Sequence, residues 1–355
     1  MLALLLLLTI AALPIHFITR TFFRRLNLVD KPDNLKKLHK DEVPLSGGFS
    51  FVFSLIFISV FAYFLISMNL INFSSDFFSL NETLSKLIIW LVISSFLLII
   101  VSFFDDIIGL PILVRLIFQV SICVIFIFFT DIKIDSLGNL LGFGQINFNT
   151  FFSYIFTTFC VVGMINAYNW IDGIDGLFSS MVFITLMSIY FFLPNLNVIF
   201  ILIISSLLPY SLMNLGLFGE KFKVFMGDHG AMMIGFVIAF SLIGFSKTEL
   251  IRPIDSLWLV NLVLLNALGT QFARAFNKKS IFNSDRNHIH HYFLKEGFSE
   301  KNTLLILTSL GICLSTLGIL LNFYQIEEYV SFYIFLLIII LCCSHAAYSF
   351  NQKNL

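Results

Sequence analysis

The stretch TFFSYIFTTFCVVGMINAYNWIDGIDGLFSSMVFITLMSIYFFL, residues 150–193, is two apolar runs joined by a short polar insert. The insert, NAYNWIDGIDGL at 166–177, holds two amides (Asn166, Asn169), two carboxylates (Asp172, Asp175) and two glycines (Gly173, Gly176). Carboxylates beside hydrocarbon are costly, and in membrane proteins they mark working sites. Asn169, Asp172 and Asp175 step by three, so a helical continuation would bring them to one face. The glycines allow close backbone approach or turn angles closed to other residues. A cluster of oxygens suits a hard cation, and such a cation suits a pyrophosphate. A plain helix end with polar caps is the alternative reading.

Outward from this insert, apolar runs of spanning length recur along the whole chain. With 58% hydrophobic and 12% charged residues and a mean hydropathy of +0.95, the composition is that of an all-α integral membrane protein. We expect a polytopic bundle of about 11 transmembrane helices forming one domain over residues 1–355. The expected spans are about 1–23, 46–70, 85–104, 112–130, 150–166, 177–193, 197–215, 230–246, 256–276, 303–322 and 329–349. Residues 1–23 have neither the basic start nor the cleavage site of a signal peptide, and read as a retained span. Seventeen of the 21 lysines and arginines fall in one set of loops, and only Lys86, Lys133, Lys247 and Arg252 in the other. The positive-inside rule then places the N-terminus outside and the C-terminus in the cytoplasm. The polar segments 24–45, 104–111, 166–176, 216–229 and 277–302 all land on the cytoplasmic side. Gly138, Gly142 and Gly144 suggest a small hairpin in an outer loop. A net charge of +0 gives no nucleic-acid footprint. The five cysteines lie in apolar runs without metal-ligand spacing.

Four further motifs carry chemistry. DKPDNLKKLHKDEVPLSGG, 30–48, puts Lys37 and His39 beside the inner leaflet, and its Gly47-Gly48 pair suggests close backbone approach. Basic residues there also serve as topology signals and lipid contacts. In SFFDDIIGL, 102–110, Asp105 and Asp106 are adjacent with no basic neighbour. Such a pair resists joint ionisation unless a cation is present, which yields a metal ligand or a general base. The competing reading is a capped helix start. FMGDHGAMMIGF, 225–236, flanks Asp228 with glycines, and Phe225 offers a ring for a flat base. SDRNHIHHYF, 284–293, groups Arg286, His288, His290 and His291. Histidine-rich tracts often bind zinc, but the acidic clusters elsewhere favour magnesium by ligand hardness. The tract reads as donors to phosphate and sugar oxygens.

Together and in this order, these motifs resemble the polyprenyl-phosphate N-acetylhexosamine 1-phosphate transferases. The likeness runs from Asp30 to Phe293. It implies transfer of a sugar 1-phosphate from a UDP-N-acetylhexosamine to undecaprenyl phosphate, releasing UMP, with Mg²⁺ (replaceable by Mn²⁺) as cofactor. The bacterial branch that starts O-antigen, common antigen, capsule or teichoic-acid linkage units with N-acetylglucosamine phosphate fits better than the phospho-N-acetylmuramoyl-pentapeptide branch. That implies the bacterial inner membrane, and a homodimer is compatible. Carried over, Asp228 and Asn169 would hold the metal. Asp105 or Asp106 would act as base on the lipid phosphate or place the metal. Asp172 and Asp175 would shape the nucleotide site, with Phe225 against uracil. His288, His290, His291 and Arg286 would contact phosphates or sugar, His290 among the catalytic set. Asn166, Lys37 and His39 would line the substrate site and its rim. Two positions depart from the family pattern: Ala231 stands where Ser is usual, and Asn266 where Asp is usual.

The rival class is a proton-coupled transporter. A carrier places its charged site near the bilayer midplane with access from both sides. Here the carboxylates gather at inner helix ends.

Overall fold

The computed structural model describes residues 2–32, 41–68, 82–280 and 288–351. The helices are α1 (Leu2–Arg25), α2 (Gly47–Ser67), α3 (Glu82–Ile108), α4 (Ile112–Thr130), α5 (Thr150–Ile171), α6 (Leu177–Phe192), α7 (Asn197–Asn214), α8 (Gly227–Lys247), α9 (Pro253–Leu259), α10 (Asn261–Phe276), α11 (Ile289–Lys295), α12 (Glu300–Phe323) and α13 (Glu328–Asn351). Two short strands, β1 (Val29–Asp30) and β2 (Val43–Pro44), pair antiparallel with Val29 opposite Pro44. The protein is therefore an all-α polytopic membrane protein. Among the described residues, nine helices are individually long and apolar enough to cross a bilayer.

Two of the 11 expected spans take a form other than one long helix. The span expected at 256–276 is a pair, α9 and α10, bent by 85°. Freed backbone groups must find partners inside a membrane protein, and here they do. Asn261 Nδ2 donates to Trp258 O at 2.7 Å and to Ser315 Oγ at 2.8 Å, and Thr185 Oγ1 donates to Leu259 O at 3.0 Å. The span expected at 177–193 is α6, with 16 residues. At 1.5 Å per residue it is about 24 Å long, shorter than a hydrocarbon core of about 30 Å.

The chain divides into two compact units, each discontinuous in sequence: Met1–Leu110 with Asn195–Met233, and Pro111–Pro194 with Ile234–Leu355. In the first unit, Leu8 and Ala12 of α1, Ile58 and Ala62 of α2, and Ile201 of α7 form one core. Small residues at such seams let helices approach closely without a hydrophobic driving force between them. His16 is fully enclosed, and its Nε2 lies 3.0 Å from Ser206 O and 3.3 Å from Ser54 Oγ, which ties α1 to α7 and α2. The opposite faces are apolar and exposed, as at Ile10, Ile18, Ile56 and Val60, which suits lipid. Phe23, Phe49 and Phe103 pack edge to face or tilted, with centroids 5.2–6.2 Å apart.

In the second unit, Ile254, Trp258, Leu265, Leu314 and Phe335 form one core cluster. Trp258 donates to Ser331 Oγ at 2.9 Å, so its indole N–H is not stranded. The expected outer hairpin is present: Leu137 N donates to Ile146 O and Ile146 N to Gly138 O. All three of its glycines have positive φ, at 68°, 83° and 110°. Beside it, Asp131 pairs with Lys133 and Lys247, whose hydrogen bonds hold its carboxyl below the usual range.

Candidate active site

The motif residues fall into two sets, one in each unit. In the first, α3 ends on the aspartate pair, and each carboxylate has its own partner. Asp105 Oδ1 accepts from the backbone N–H of Leu110 at 2.8 Å, shaping the turn that follows the helix. Asp106 Oδ2 lies 2.6 Å from Nδ1 of His229, a short charge-assisted contact. Both aspartates are half-buried, and His229 is fully enclosed. Asp228 stands in the first turn of α8, where the helix dipole favours negative charge.

The loop before α8 is pinned by β2 and the start of α2. Phe225 N donates to Pro44 O at 3.0 Å, Gly47 N to Phe225 O at 2.9 Å, and Gly48 N to Met226 O at 3.0 Å. Asn214 Nδ2 adds a bond to Val224 O at 3.0 Å. The close approach expected at Gly47-Gly48 is thus an approach of backbone to backbone. A Cβ at Gly47 would lie 2.8 Å from Met226 Cα, and one at Gly48 would lie 2.6 Å from Gly230 Cα.

The second unit holds the central insert and the histidine tract. Helix α5 stops at Ile171, and Asp172 takes the C-cap position with ψ 62°. Gly176 then takes φ 79° to start α6. The expectation that Asn169, Asp172 and Asp175 share one helical face is therefore not met, because the helix ends between the first and second. Asn169, Asp172 and Asp175 are each half-buried in or beside this turn. Asn166 is buried, and its Nδ2 donates to Gln119 Oε1 at 2.9 Å and Val162 O at 2.8 Å. Its donors are spent on the fold.

The histidines meet this turn, although more than a hundred residues separate them in sequence. His290 is 1% exposed, and its ring rests against Gly173 where a Cβ would otherwise sit. Neither ring nitrogen of His290 has a hydrogen-bond partner among the described residues. Burial, then the neighbouring His291 and His288, holds its pKa well below the usual value, so the ring is neutral. His290 and His291 lie 4.2 Å apart by centroid. His288 stacks on Trp170 at 6.0 Å, and the Arg274 guanidinium lies 5.8 Å from the Trp170 ring centroid. Asn266 Oδ1 accepts from Ile289 N at 2.9 Å, and Thr270 Oγ1 lies 3.3 Å from His288 Nδ1. The expected site residues Lys37, His39 and Arg286 lie outside the described residues.

Sequence reading missed His229, Trp170 and Arg274. His229 was visible as a histidine directly after Asp228, and Trp170 sits inside the central insert. Only packing shows what either ring touches.

The chain is a polytopic helical membrane protein that joins an acidic turn to a histidine tract, and it belongs to glycosyl transferase family 4. The sequence model of that family matches residues 88–246. Over nearly its full length the chain is similar to bacterial proteins named undecaprenyl-phosphate alpha-N-acetylglucosaminyl 1-phosphate transferase. The Salmonella typhi protein is 30% identical over 329 residues, 90% of this chain and 84% of its own. The Pasteurella multocida protein is 30% identical over 335 residues, covering 91% and 88% respectively. The Escherichia coli K12 protein is 28% identical over 329 residues, covering 90% and 84%.

Proposed function

We propose that this protein transfers N-acetylglucosamine 1-phosphate from its UDP-sugar to undecaprenyl phosphate, releasing UMP and starting a lipid-linked surface glycan. The observation that carries this reading is the seating of His290 on the Gly173 turn. It joins the acidic insert and the histidine tract, the two most distinctive motifs, into one structural piece. The names of the relatives above support undecaprenyl phosphate as acceptor and N-acetylglucosamine 1-phosphate as the transferred group.

In the first unit, Asp105 or Asp106 takes the proton of the lipid phosphate, whose oxygen then attacks phosphorus in line. Most of the remaining work is positioning two anionic substrates for that displacement. In the second unit, Asp172 and Asp175 shape the nucleotide pocket, and His288 and His291 donate to phosphate or sugar oxygens. His290, neutral and enclosed, sets the shape of that wall.

The donor set fits Mg²⁺. It consists of half-buried carboxylates, and this ion characteristically takes one or two carboxylates together with substrate phosphates. Among the described residues no group of three His, Cys, Asp or Glu is placed to hold an ion, so substrate oxygens would complete its shell. Asp228 would hold the ion. When bound, it would neutralise the diphosphate and stabilise the UMP leaving group. We further place the N-terminus outside and the C-terminus and catalytic loops in the cytoplasm of a bacterial inner membrane, from the lysine and arginine bias.

The test is UMP release by purified protein in detergent, with undecaprenyl phosphate, Mg²⁺ and a panel of UDP-N-acetylhexosamines. The expected result is lipid-dependent release from UDP-N-acetylglucosamine, abolished by Asp228→Ala. Release from another donor alone would correct the sugar, and release from none, with folded protein, would overturn the reading.

A further inference from the structure

We propose that His229 is a positioning residue that fixes the carboxylate of Asp106 and couples it to the turn bearing Asp228. This rests on the reading of Asp106 and Asp228 as parts of the reacting site.

The ring is set in a purpose-shaped slot. Gly227 has φ +76°, and a Cβ there would run into the imidazole and lie 3.2 Å from Asp106 Oδ2. A Cβ at Gly48 would lie 2.6 Å from His229 Cδ2. Phe49 and Phe103 close the slot, with centroids 5.0 Å and 6.1 Å from the ring. An enclosed imidazole costs desolvation unless its polar atoms are used. Nε2 has no partner among the described residues, so the 2.6 Å bond from Nδ1 to Asp106 Oδ2 is what anchors the ring there.

The consequence is a division between neighbouring aspartates. Asp105 Oδ1 is tied to the local turn through Leu110 N, so its geometry follows α3. Asp106 Oδ2 is tied through His229 to the first turn of α8, which also carries Asp228. One oxygen of Asp106 is occupied by the imidazole N–H, leaving Oδ1 as the oxygen to present to a reacting group. Groups of this kind, which orient a carboxylate without touching the reacting atoms, typically change activity by about tenfold to a hundredfold.

The experiment has two arms. Nitrogen-15 NMR of histidine-labelled protein in detergent, with His229 assigned by its loss in His229→Asn, should show a protonated Nδ1. Its resonance should move in Asp106→Asn and stay in place in Asp105→Asn. The kinetic arm measures UMP release by His229→Leu and His229→Asn, the latter keeping a donor where Nδ1 stood. His229→Leu should lose about tenfold to a hundredfold in kcat, with KM for the UDP-sugar within about twofold. His229→Asn should regain at least about tenfold of that loss. Size-exclusion profile and Tm establish that each variant is folded. An unprotonated Nδ1, a resonance indifferent to Asp106→Asn, or equal activity of the two folded variants overturns the proposal. If the wild type releases no UMP from any donor, the transferase reading falls, while the NMR arm still decides the His229–Asp106 bond.

Discussion

The imidazole of His290 sits on the bare backbone of Gly173, in the space that any side chain at that position would need. The glycine was expected to admit a ligand or a turn, and in the fold it admits a ring from a motif more than a hundred residues later. The contact makes the shape of the acidic turn depend on the histidine tract.

Gly173→Ala should therefore damage function through His290. The new methyl forces the ring to move, at about 1–3 kcal/mol for overpacking a close contact. We expect UMP release to fall by about tenfold or more, with a lowered Tm. Unchanged kinetics in Gly173→Ala would show that the ring can shift without consequence.

The depressed pKa of His290 sets a direction for pH dependence. The unfolded chain takes up a proton near pH 6.5, whereas the folded protein, with this ring enclosed beside His291 and His288, does not. Below that pH the unfolded state binds more protons, so stability present at pH 7–8 is lost as pH falls. The Tm in detergent should drop more steeply between about pH 7.5 and 5 for the wild type than for His290→Gln. Parallel curves would remove His290 as the source.

Two ion pairs in the second unit should differ sharply in worth. Asp255 is buried and accepts from Arg252 Nε at 2.8 Å, Arg252 Nη2 at 2.9 Å and Asn322 Nδ2 at 2.6 Å. Asp255→Ala removes a carboxylate that three donors share, and should cost about 3–5 kcal/mol. Lys247 pairs with the largely exposed Asp131, and Lys247→Met should cost about 0–1 kcal/mol while leaving UMP release intact. Thermal melts of the two variants side by side check the ranking.

Metal removal gives a further check. Chelation should stop UMP release by at least about a hundredfold, since charge stabilisation by a bound cation is worth several kcal/mol. Added Mg²⁺ should restore it, and Asp228→Ala should not respond to added metal. Full activity in chelator would mean that the carboxylates act without a cation.

Much of this protein is legible without coordinates. Each of the eleven expected spans coincides with a helix or helix pair, because bilayer insertion depends on hydropathy summed over about 20 neighbouring residues. The chemistry of the motifs is likewise local: adjacent aspartates, glycine-flanked carboxylates and a histidine tract show themselves in the chain. Glycines also reported crowding before any partner was known, as at Gly47 and Gly48.

What the sequence by itself determined, then, was the membrane class, the spans and the residue types available for reaction. The tertiary structure decided which of those residues meet. It placed His290 on Gly173 and His229 on Asp106, and it turned the donors of Asn166 inward to Gln119. It also broke the ninth span at Val260, where Asn261 and Thr185 absorb the freed carbonyls. Hydropathy is a sum along the chain and survives in one dimension. A hydrogen bond or a ring against a glycine depends on ångström-scale distances between segments far apart in sequence, and only packing sets those.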